Sequence, residues 1–192
     1  MLAASRTPPV TDTNPVPVAC TTLLAAMAAA GFNAIMQIFP VGSTVSDWVR
    51  LMDASVRHDI KLIGKIGPTT RQPDPADMTN DLNIIGGVIT HKMFDSYFLF
   101  DESLDQFPHS DSLVACYNAV KNTYPNCKVF SAVAGQVQQG IGVAFTDNMT
   151  DVVDVSCRAW QVNAVLSSTE GIGRVADSIP LIRAADPNAI IT

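Results

Sequence analysis

Apolar positions along this chain follow two alternating periods, one suited to helices and one to buried strands. Thr21–Ala30 is an Ala-rich helical stretch stopped at Gly31, and Asn33–Phe39 reads as a buried strand. Thr44-x-x-Asp47 has the form of a capping box. Behind it Val45, Trp48, Val49, Met52 and Val56 recur at helical spacing, which predicts a second helix before a strand over Lys61–Ile66. Asp81–Met93 repeats the pattern, with Ile84, Ile85, Val88 and Ile89 on its apolar side despite Gly86-Gly87, and leads to a strand over Ser96–Phe100. Pro108 opens the next helix and Pro125 closes it. Its Leu113, Tyr117, Val120 and Tyr124 share a face, and strands over Lys128–Val133 and Val152–Cys157 follow. A last helical pattern of Ile172, Val175, Ile179 and Ile182 is interrupted by Pro180, and Ala189–Ile191 begins another strand.

Helix–strand units in succession predict an α/β fold with a parallel sheet and right-handed crossovers. A doubly wound open sheet would place a Gly-rich phosphate turn at its first unit. The only such run, Gly171-Ile172-Gly173-Arg174-Val175-Ala176, comes late, and the next strand begins after the position where a ribose-binding acid should stand. Those glycines therefore read as loop and packing residues. With no P-loop, GxSxG elbow or HExxH in the chain, a parallel (β/α) barrel of the TIM type fits better. Residues 1–18, with Pro8, Pro9, Pro15 and Pro17, read as an extended lead-in or linker, and residues 19–192 as the barrel domain.

Composition narrows the partners. A chain of 192 residues that is 47% hydrophobic and 16% charged is no disordered tail. The net charge of −6, with 12 Lys and Arg and no basic run, offers nothing to a nucleic-acid backbone. No apolar run reaches the roughly 20 residues of a membrane span. Cys20, Cys116, Cys127 and Cys157 form no CxxC and have no His at zinc-like spacing, so neither metal nor other cofactor is expected; the even count would permit two disulfides, and buried thiols are the favoured reading. Met1–Ala4 lacks the charged start and long apolar stretch of an export signal, while Asn148-Met149-Thr150 fits the glycosylation acceptor, which leaves the compartment open.

The chemistry-bearing residues fall at strand ends. Tyr97-Phe98-Leu99-Phe100-Asp101-Glu102 is an apolar run stopping on two adjacent carboxylates, and a barrel delivers such a strand end to the rim where these folds keep their sites. The same rim would gather Gln37 and Phe39, Lys65, Gln136, and Arg158 with Trp160. Amides, cations and carboxylates bond hydroxyl groups while an indole covers the apolar face of a pyranose, so this set suits a carbohydrate. A purely structural reading, with Lys65 and Arg158 neutralising Asp101 and Glu102, stands beside it. A Schiff-base role for Lys65 is a third reading, ranked last because a strand-end Lys beside acids is more often ion-paired.

Three segments carry a resemblance. Ala30-Gly31-Phe32-Asn33-Ala34-Ile35-Met36, Tyr97–Glu102 and Val152-Val153-Asp154-Val155-Ser156 resemble the second, fourth and sixth strands of the (β/α)8-barrel glycoside hydrolases. The resemblance implies a carbohydrate-acting barrel in which Glu102, at the end of the fourth strand, is the general acid/base, preceded by Asp101 where the family often has Asn. Gln37, Lys65, Asp101, Gln136, Arg158 and Trp160 would then contact the sugar. Two departures accompany it. The family's nucleophilic Glu, at the end of the seventh strand, has no counterpart before Ile190-Ile191-Thr192, and Pro15–Cys20 makes a poor first strand because proline is disfavoured inside a sheet. Six clear strands, two fewer than a closed barrel, imply a fragment, a barrel completed by a partner or by self-association, or a non-catalytic carbohydrate-binding or structural module. Residues 1–192 alone are not expected to hydrolyse glycosides. The carbohydrate reading favours an extracellular, cell-surface or virion location.

Overall fold

The computed structural model describes residues 2–5, 18–67, 74–101, 110–134, 149–156, 179–184 and 186–191. They form two compact units, one of residues 1–69 with 77–98 and one of residues 70–76 with 99–192.

In the first unit four strands, β1 (Leu2–Ser5), β2 (Ala34–Phe39), β3 (Lys61–Ile66) and β4 (Phe94–Asp101), pair in chain order and in parallel. Three helices connect them, α1 (Val18–Ala29), α2 (Val45–Ser55) and α3 (Met78–Val88). The expected strand over Lys61–Ile66 has those bounds, while the helix expected over Asp81–Met93 begins earlier and ends at Val88. α2 starts where the sequence signal put it. The Asp47 carboxylate accepts from both the Thr44 backbone N–H, at 2.7 Å, and the Thr44 hydroxyl, at 3.0 Å, closing the first turn.

The first strand is a correction. It lies at Leu2–Ser5, inside the segment expected to be a lead-in, whereas Val18–Cys20 of the Pro15–Cys20 stretch already belongs to α1. Leu-Ala-Ala-Ser escapes notice because alanine has little preference for strands, and it is held by register against Ala34–Gln37.

Trp48 organises the helix–sheet layer of this unit. Its side chain is fully buried, stacks on Phe39 of β2 with ring centroids 4.6 Å apart, and lies 6.5 Å from Phe94 of β4. Between them β3 offers Gly64, where an added Cβ would fall 2.0 Å from the indole. Gly87 of α3 makes the same accommodation for Val45 of α2, at 2.5 Å, which explains one member of a Gly-Gly pair that otherwise weakens a helix. Gly64→Ala is expected to cost about 1–3 kcal/mol through overpacking, read as a lower urea midpoint. An unchanged midpoint would show that the indole has room to move.

The second unit holds α4 (Ser110–Thr123), β5 (Lys128–Ala134), β6 (Val152–Ser156) and β7 (Ile190–Ile191), with β5, β6 and β7 again parallel and in chain order. Residues 179–184 are helical through Pro180, with Ile182 buried. Asp151, just before β6, ties α4 to the sheet: its carboxylate accepts from the Tyr117 hydroxyl at 2.8 Å, the Lys121 ammonium at 3.1 Å and the Val129 N–H at 2.8 Å. The strand beginnings serve stability in such folds, and Asp151→Ala removes one acceptor from the Tyr117 hydroxyl, the Val129 N–H and the Lys121 ammonium, which keeps its bond to the Cys127 carbonyl. It is expected to cost about 2 kcal/mol in chemical denaturation with the slope unchanged. Cys116 and Cys127 are buried. Among the described residues no helix is long and apolar enough to cross a membrane.

Candidate functional site at the strand ends

The strands of the first unit present two faces, and specific contacts tell them apart. Phe39 and Gly64 meet Trp48 of α2, and the Tyr97 hydroxyl donates to the Asp81 carboxylate of α3, both residues being buried. These positions define the helix face. Lys65 pairs in register with Ile38 and follows Gly64, so it lies on the opposite, inner face. Phe98, which follows Tyr97, lies there too, and the Lys65 ammonium sits 5.4 Å from its ring centroid. Ile38, Lys65 and Phe98 thus make one row across β2, β3 and β4, near the C-terminal ends of the first two strands.

An irregularity in β4 sets this arrangement. Phe94 pairs with Leu62 while Ser96 pairs with Ile63, so Asp95 is an extra residue in the ladder. Phe94 and Tyr97 can both reach the helix face, three positions apart, only because of that bulge. Ser96, Phe98 and the row they form fall on the inner face as a result. Ser96 is fully buried there and its hydroxyl finds no partner.

Of the expected site residues whose side chains are described, Lys65 alone lies on the inner face, 4% exposed. Gln37 is also 4% exposed, but it shares the helix face with Ile35 and Phe39, and its amide donates to the Ile38 carbonyl at 2.7 Å. The structure therefore does not bring Gln37 and Lys65 together. Asp101 is the last residue of β4. Glu102, Gln136, Arg158 and Trp160 lie outside the described residues; β5 ends at Ala134 and β6 at Ser156, just before three of them in sequence. Phe98 and the Asp81–Tyr97 pair were not singled out from sequence as site or support residues. The Phe98 signal was present, since on a regular strand an aromatic four places before the acid at position 102 has the same parity and so the same face.

A short turn follows β2, whose end is tied to that of β3. Gly67, at φ +83°, gives its N–H to the Phe39 carbonyl at 2.7 Å, linking the ends of β2 and β3. Beyond Phe39 the Ser43 N–H and hydroxyl both bond the Pro40 carbonyl, at 3.1 and 2.7 Å. Val41 stands on that turn, 69% exposed. Among the described residues no three His, Cys, Asp or Glu side chains gather as a metal site would need.

No family model and no curated protein matches this sequence. Solved structures do match in fold. The endo-1,4-β-mannanase of Eisenia fetida is similar over 71% of this chain and 60% of its own, with TM-score 0.55 and 9% identity. The β-mannanase of the blue mussel Mytilus edulis is similar over 74% and 63%, with TM-score 0.58 and 12% identity. The glycoside hydrolase family 17 β-1,3-glucanosyltransferase of Rhizomucor miehei is similar over 88% and 64%, with TM-score 0.57 and 12% identity. The fold is a parallel β/α barrel of the TIM type, the architecture of these neighbours, and it is incomplete among the described residues. Seven strands are described where a closed barrel of this type has eight, and the chain spans 60–64% of the length of these three neighbours. At such identities the likeness is one of architecture, and in that architecture β2, β4 and β6 carry the numbers that the three resembling segments implied.

Proposed function

We propose that this chain is a carbohydrate-acting barrel domain of the glycosidase type, with Glu102 as general acid/base. The observation that carries the reading is the position of β4: it is fourth in order, it ends at Asp101 with Glu102 next, and it belongs to a fold shared with glycoside hydrolases. By the period of two along an extended strand, an acid at position 102 is expected on the face of Phe98 and Lys65. Glu102 would protonate the leaving glycosidic oxygen, while Lys65, Gln136, Arg158 and Trp160 orient the sugar. Gln37 is left out of this assignment because of its face.

Hydrolysis needs a second carboxyl group, roughly 5–5.5 Å away for retention or roughly 6.5–9.5 Å for inversion. No described residue is assigned that role, so turnover is a property to measure in the protein that carries the whole barrel. Binding can be measured directly. The neighbours' names supply β-mannan and β-1,3-glucan as the first ligand class, and calorimetric titration with manno- and laminari-oligosaccharides should show saturable binding.

Trp160→Ala is expected to weaken that binding about tenfold, the worth of an aromatic platform under a sugar ring, with the melting temperature nearly unchanged. A fallen melting temperature with binding intact would place Trp160 in the core instead. Binding without turnover in the complete barrel would assign the fold to carbohydrate recognition alone.

A further inference from the structure

We draw no further inference here: the strongest candidate, the inner-face row of Ile38, Lys65 and Phe98 on β2, β3 and β4, belongs to the site already described.

Discussion

Trp48→Ala is expected to cost about 3–5 kcal/mol of folding stability, the largest loss of any single truncation in the first unit. The indole is fully buried and touches three strands, stacking on Phe39, lying over Gly64 and approaching Phe94. Its removal leaves a cavity that cannot collapse easily, because β2 and β3 are locked by a continuous parallel ladder from Ala34↔Lys61 to Phe39↔Ile66. Denaturant unfolding followed by fluorescence and circular dichroism checks this. A loss below about 1 kcal/mol would mean that the helix–sheet layer is packed by other residues.

Glu102→Gln, made in the protein that carries the whole barrel, is expected to lower turnover by about 10²–10⁴. The substitution keeps size and hydrogen bonding and removes only the transferable proton, so KM should change far less than kcat. The loss should shrink on aryl glycosides whose leaving groups need little protonation. That dependence separates an acid from a residue that merely holds the strand end in place. Turnover within about twofold of the parent on an alkyl glycoside would falsify the assignment.

Element types were largely legible because long helices advertise a 3.6-residue period, as α2 does through Trp48 and Met52, and because parallel strands are continuous apolar runs. The same continuity hid the faces. Both sides of a parallel strand are apolar, so nothing local distinguishes Gln37, turned to the helices, from Lys65, turned inward. The bulge at Asp95 was equally silent, since it exists only relative to the neighbouring strand β3. Asp81 looked like a helix start and is instead a buried acceptor for Tyr97, a pairing across sixteen positions that no spacing rule predicts. β1 was missed because four small or weakly β-forming residues carry no pattern of their own.

On the proposed function, a saccharide would bind at the C-terminal ends of these strands, on the face that bears Lys65 and Phe98. Backbone amide chemical shifts of the chain, followed by NMR during titration with a manno- or laminari-oligosaccharide, test it most directly. Saturable shifts are expected, clustered after Phe39, Ile66 and Asp101, at the C-terminal ends of β2, β3 and β4. Shifts confined to the opposite strand ends, around Ile60, Met93 and Asp151, or no shifts with either sugar, would contradict it.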